Sequence, residues 1–197
     1  EYLKAENEYK EAVLKPTEDL QGKLFKEMKG RIKEDDSSVP YQKNGYYYYR
    51  RYEEGREYPI YCRKKGSMKA REEVMLDVNK MAKGHDFYRV VGLNVSPDNH
   101  LLAYGVDTVS RRKYTIQLKN LETGEVLKDA IPETNGEAVW ANDNQTLFYT
   151  RKQETTLRPY KIFRHKLGTD VSQDPEIYHE SDETFDTDVF KTKTDDY

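Results

Sequence analysis

Four histidines, one cysteine and 36 carboxylates are the groups through which this sequence could do chemistry. His85, His100, His165 and His179 lie too far apart for a helical zinc motif, and no His-Glu-x-x-His occurs. Cys62 has no second cysteine, which excludes an internal disulfide and a multi-cysteine metal centre, and fits a reducing, cytoplasmic compartment. The nucleophile elbow Gly-x-Ser-x-Gly is absent, so no serine is marked for activation. A glycine-rich phosphate loop is absent too. Two convergent carboxylates could hydrolyse a glycoside, but abundance alone assigns neither acid nor base. For catalytic, cofactor-binding and metal-ligating residues the expectation is the same: none.

Two charged clusters remain. Asp86 precedes a strand pattern, and Arg111 and Arg112 follow one. Arg and Asp usually end on exposed edges. The sharper reading is an interdomain contact through Asp86, Arg111 and Arg112, because the planar guanidinium pairs bidentately with carboxylates. The basic stretch 64–71 could touch phosphate, but without interleaved aromatics it reads as an exposed hairpin loop. Net charge is -3 with 33 basic and 36 acidic residues mixed, so neither nucleic acid nor an anionic membrane is an expected partner. No apolar run reaches transmembrane length.

The elements that carry these residues divide in two. Over 1–33, Tyr2, Ala5, Tyr9, Ala12 and Val13 and then Leu20, Leu24, Met28 and Ile32 recur at helical spacing, interrupted by Pro16. Thr17 followed by Glu18 and Asp19 reads as a helix start. The two helices are expected to pack as a pair. Residues 34–40 form a polar connector.

From 41 onward the pattern turns to strands, and it repeats. Val95-Ser96-Pro97-Asp98-Asn99 returns, altered, as Trp140-Ala141-Asn142-Asp143-Asn144, 45 positions later. A strand-built repeat of that length predicts propeller blades. Residues 41–80 read as a first blade, with strands at 46–52 and 58–64 and an alternating Val74, Leu76, Val78. The second, 87–131, has strands at 87–95, 101–107, 114–121 and 126–131. The third, 137–180, has strands at 138–140, 147–152, 160–167 and 176–179, and 185–197 begins another unit. Tyr58-Pro-Ile-Tyr, Tyr114-Thr-Ile-Gln and Tyr160-Lys-Ile-Phe align as equivalent strands. The fold class is therefore mainly β: an incomplete propeller of about three four-stranded antiparallel blades and the start of a fourth, after an N-terminal helical segment. Propellers close with about four to eight blades, so this one is expected not to close alone. Its open blade surfaces are expected to self-associate. Glu1 falls inside a helical pattern, which reads as a piece of a longer protein.

An ordered series of strings gives the chain a family resemblance. They are Tyr2-Leu-Lys-Ala-Glu-Asn-Glu-Tyr9, Asn44-Gly-Tyr-Tyr-Tyr-Tyr-Arg50, Tyr58-Pro-Ile-Tyr-Cys-Arg63, Val95-Ser-Pro-Asp-Asn99 and Ser110-Arg-Arg-Lys-Tyr114. Asn120-Leu-Glu-Thr-Gly124, Val139-Trp-Ala-Asn-Asp143, Thr156-Leu-Arg-Pro-Tyr160 and Arg164-His-Lys-Leu-Gly-Thr169 complete it. The series resembles the N-terminal part of the oligopeptidase B (protease II) branch of the prolyl oligopeptidase family of serine peptidases. The resemblance implies a seven-bladed propeller capping an α/β-hydrolase domain. That domain would supply a Ser-His-Asp triad and cut short peptides after Arg or Lys, while the propeller excludes folded proteins. The strings end in about the fourth blade, so no catalytic residue transfers to this chain, and alone it is expected to be inactive. Its partners would be the peptidase domain of the same protein and, for the whole enzyme, short basic peptides. A stand-alone β-repeat binding module is the alternative, and a propeller glycosidase a third.

Overall fold

The computed structural model describes residues 1–192 and 194. The chain opens with helix α1 (Tyr2–Leu14), a 3-10 turn (Lys15–Thr17) and helix α2 (Glu18–Gly30). Pro16 has no N–H to continue the first ladder, and the acidic Glu18 and Asp19 occupy the positive end of the second helix. Thr17 does not cap α2 with its side chain; its hydroxyl donates backwards to the Leu14 carbonyl at 2.7 Å. Neither helix buries a residue, which corrects the expected packed pair. The stripe Leu20, Leu24, Met28 and Ile32 is present but faces solvent.

The first sheet has four antiparallel strands in the order β1 (Tyr41–Lys43), β2 (Tyr46–Arg51), β3 (Ile60–Lys65) and β4 (Glu72–Asp77). Asn44 and Gly45, both at positive φ, make the two-residue hairpin between β1 and β2. The alternation expected of Val74, Leu76 and Val78 does not hold. A bulge opposite Tyr61 and Cys62 buries Met75 and Leu76 in succession and leaves Val74 exposed. Val78 instead opens a short helix, α3 (Val78–Met81), capped by Asp77.

The second sheet has seven antiparallel strands: β5 (Arg89–Val95), β6 (Leu101–Asp107), β7 (Tyr114–Asn120), β8 (Val126–Trp140), β9 (Thr146–Lys152), β10 (Pro159–Lys166) and β11 (Glu176–His179). They lie in sequence order across the sheet. The separate strands expected at 126–131 and 138–140 are one strand of 15 residues. Its first half pairs with β7 and its second half with β9, the register breaking between Thr134 and Ala138. Strand β8 is thus the last strand of the second blade and the first of the third. Residues 180–192, where another blade was expected to begin, form no strand; residues 193 and 195–197 lie outside the described residues.

Strand β6 explains how the blades stack. Leu102, Tyr104 and Val106 point one way and join Tyr48, Met75 and Leu76 of the first blade. Ala103, on the other face, joins Ile116, Ile131, Trp140 and Leu147, uniting the second blade with the third. Side chains alternate across a strand, so a strand buried on both faces becomes apolar at nearly every position.

At one point no side chain fits between the blades. Gly92, Gly105 and Gly136 approach so closely that a Cβ at Gly92 or Gly105 would collide with the Gly136 carbonyl oxygen. A Cβ at Gly136, where φ is 91°, would lie 2.5 Å from Val91 Cγ2 and 2.8 Å from Tyr114 Cγ. Gly136→Ala is therefore expected to destabilise the fold by on the order of 3 kcal/mol in urea unfolding, through backbone strain plus overpacking. Gly124→Ala, also at positive φ but facing open space, should cost about 1 kcal/mol, the strain alone.

Candidate functional site, the inner-strand groove

The first strands of the three blades face a common groove of about 500 Å³. Lys43 reaches it from the end of β1, Gly92 and Asn94 from β5, Glu137 and Trp140 from the second half of β8, and Phe190 from the segment after β11. Strands β5 and β8 are not neighbours in the sheet, yet they are stitched together here. Asn94 Nδ2 donates to the Ala138 carbonyl at 3.0 Å, and Trp140 Nε1 donates to the Asn94 carbonyl at 2.9 Å. The indole N–H, otherwise a buried donor without water, is thereby satisfied. These bonds fix the groove wall.

Among its described lining residues the groove holds no serine, threonine or cysteine that could serve as a nucleophile. Glu137 is the one carboxylate among its described lining residues, so the second acid that a glycosidase needs is not supplied here. Among the described residues, no three His, Cys, Asp or Glu side chains converge on a candidate metal position. The histidines are dispersed into local roles. His85 packs on Tyr88 with ring centroids 5.2 Å apart, His100 pairs with Glu122 at 3.0 Å, and His179 meets Tyr160 edge-on at 5.5 Å. His165 is fully buried, its Nδ1 2.9 Å from Asp174, whose other oxygen accepts from Tyr149 at 2.9 Å. That trio is not apparent in the sequence; the inward alternation of Phe163 and His165 along β10 is the signal that could have found it. The thiol of Cys62 is completely buried, and desolvation, with the nearby Glu72 charge, pushes its pKa up to about 12. It is a packing residue, not a nucleophile.

Asp86, Arg111 and Arg112 are all exposed. The pairing of Arg89 with Asp107 places the loop before β5 and the loop after β6 at one end of the second blade, so the topology brings the two clusters to a shared rim. Arg112 stands at φ 54°, held there by its N–H donating to buried Asp107 at 2.7 Å, while its carbonyl accepts from Lys152 at 3.0 Å. The basic stretch 64–71 spans the last two residues of β3 and the β3–β4 hairpin loop, and Lys64 of the strand donates to the Met68 carbonyl at 3.0 Å.

The opposite rim carries the Asp-Asn turns. Asp98 accepts from Ser96 Oγ at 2.5 Å and from the His100 N–H at 3.1 Å. Partial desolvation opposes its ionisation, but these bonds outweigh it and hold the carboxyl below the usual range. Asp143 accepts from the Thr146 hydroxyl at 2.7 Å and from the Gln145 and Thr146 N–H groups at 2.9 Å each, which lowers its pKa as well.

Such a propeller, with helices before it and a groove of inner strands, defines a class, and comparison with known proteins places the chain in it. The family description "Prolyl oligopeptidase, N-terminal beta-propeller domain" matches residues 1–197. The chain belongs to the prolyl oligopeptidase family, as its N-terminal β-propeller portion. It is 42% identical to a dipeptidyl aminopeptidase BI of Pseudoxanthomonas mexicana over 98% of this chain and 29% of that protein. It is 33% identical to protease 2 of Moraxella lacunata, with the same coverage of 98% and 29%. Among solved structures, oligopeptidase B from Leishmania major superposes with a TM-score of 0.86 at 36% identity, over 96% of this chain and 27% of that one. The chain therefore spans less than a third of the length of the relatives it matches.

Both aspartates have folded pKa values below their unfolded ones, so their turn bonds stabilise the protein fully above the ordinary carboxylate range. That contribution is lost as pH falls through about 4 and below. Asp143→Asn is expected to flatten part of the acid limb of a stability-pH profile recorded by thermal unfolding; an unchanged acid limb would show that the Asp143 bonds carry no weight.

Proposed function

We propose that this chain is the lid portion of a serine oligopeptidase that hydrolyses short peptides after Arg or Lys. In this reading an α/β-hydrolase domain elsewhere in the same protein supplies serine, histidine and aspartate, and the propeller admits substrate and contacts that domain. The carrying observation is the groove formed by successive inner strands in a chain that matches its relatives end to end while spanning under a third of them. Glu137 shares the groove lining with Lys43 and Lys191, so specificity for basic side chains is assigned to the α/β-hydrolase domain, and the Asn94–Trp140 stitching holds the groove wall. The exposed rim with Asp86, Arg111 and Arg112 is the proposed interdomain surface. The apolar stripes of α1 and α2 supply a second surface for the same domain. In the isolated chain those stripes and the open blade faces support self-association, which concentration-dependent sedimentation tests; a monomer at all concentrations would contradict it.

A second reading follows from the 42% identical relative, whose name is that of a dipeptidyl aminopeptidase. There the enzyme would release dipeptides from a free amino end. Assays of the whole protein on an N-blocked arginine amide and on an unblocked dipeptide amide separate the two. The first reading expects cleavage of the blocked substrate; cleavage of the unblocked one alone would replace it with the second. The 197-residue chain should cleave neither, and turnover by it that survives repurification would overturn the lid assignment. In the whole enzyme Arg112→Ala should change activity without unfolding the propeller, and unchanged kinetics would remove Arg112 from the interface.

A further inference from the structure

The turns joining the first and second strands of the three blades differ in length, two residues in the first and five in the others, but share one feature. Each places an asparagine in the left-handed region: Asn44 at φ 47°, Asn99 at 67° and Asn144 at 58°. Asparagine tolerates this backbone better than most residues because its short amide bonds locally. Here two of these amides reach beyond their own turn. Asn99 Nδ2 donates to the Asn44 carbonyl at 3.3 Å, and its Oδ1 accepts from Tyr48 Oη at 3.3 Å, both in the preceding blade. Asn144 Oδ1 accepts from the Asp98 N–H at 2.9 Å, again in the preceding blade. Lys191, in the segment after the third blade, donates to Asn142 Oδ1 and carries the sequence of contacts one step further.

The first step is anchored from below. Arg63 is 3% exposed and donates to the Asn99 carbonyl at 2.8 Å. It also pairs with Glu73 at 2.7 Å, and its guanidinium lies 4.2 Å from the centroid of the Tyr46 ring. A buried guanidinium with these partners has little freedom, so the turn it grips is held to the first blade. Exposed hairpin tips are ordinarily mobile. These tips are instead tied each to the last, at the end of the blades away from Asp86, Arg111 and Arg112, where Lys43, Asn44, Pro97 and Asn142 border the inner-strand groove.

We infer that this asparagine relay fixes the width of the groove's mouth and so sets the largest peptide that can enter. The inference rests on the oligopeptidase reading above and adds to it Asn99 and Asn144 as positioning residues for size selection. A blade cannot tilt outward without breaking the bond that its turn makes to the preceding one. Neither residue touches substrate; each acts by holding a neighbouring turn.

The test uses the whole enzyme with Asn144→Gly and, separately, Asn99→Gly. Glycine keeps the left-handed backbone and deletes the tie. Amide exchange read by mass spectrometry over the turn containing Asp98 should quicken about fivefold in Asn144→Gly, the effect of one net hydrogen bond. The ratio of kcat/KM on a long unfolded polypeptide to that on a short N-blocked arginine amide should rise in both variants, with the short substrate cleaved as before. General loosening of the fold would lower both rates together, so the ratio separates positioning from stability. An unchanged ratio in both variants, or unchanged exchange at the turn, would overturn the inference. If the unmodified enzyme cleaves neither substrate, the oligopeptidase reading fails, and with it size selection, while the exchange measurement still reports on the relay itself.

Discussion

The stacking of the second blade on the third depends on three backbones meeting with nothing between them. Gly92 on β5, Gly105 on β6 and Gly136 within β8 bring the inner strands to a distance no side chain permits. That approach lets β8 pass from one blade into the next without a loop, and it brings Asn94 within bonding distance of Ala138 and Trp140. The apolar clusters on the two faces of β6 then supply the larger favourable term, burial that is non-directional and would tolerate several orientations. The glycines and the amide stitching select one orientation among them. Burial provides the energy of the stack, and the close approach provides its geometry.

The same division separates what the chain can do from what it cannot. Many of its charged groups are engaged in turns and local ion pairs, and the buried trio of His165, Asp174 and Tyr149 is joined by hydrogen bonds away from the groove. Among the described residues the groove is lined by one carboxylate, two lysines, one indole and asparagine amides, and its wall is set by hydrogen bonds between strands. The shape of this portion is held by interblade hydrogen bonds along the groove wall and between successive hairpin turns.

Much of this was legible in the residues. The Asp-Asn turns declared themselves through their repeat and through asparagines that accept positive φ, and of the tyrosine-led strings those at Tyr114 and Tyr160 fall at the starts of β7 and β10, while Tyr58 lies in a bend two residues ahead of β3. Other features were not legible, for physical reasons. Strands were expected to stop at 131 and restart at 138, but the residues between them pair on both sides and one strand runs through Pro132, Asn135 and Gly136. Strand β1 has three residues, too few to show alternation. The bulge at Tyr61 and Cys62 is a property of pairing, invisible in Val74, Leu76 and Val78 alone. Helical spacing correctly placed α1 and α2 but could not say that their apolar stripes would stay exposed, with no packing partner among the described residues. The groove itself was out of reach, because it joins residues from three blades that no local pattern connects.

If the glycine approach and the shared strand make the second and third blades one cooperative unit, they must open together. Native-state amide exchange in rising denaturant measures this directly. Buried strand amides of β6 and β7 should merge with those of β9 into a single unfolding isotherm of equal free energy and slope. Separate isotherms, with β9 and β10 opening while β6 and β7 stay protected, would contradict the account.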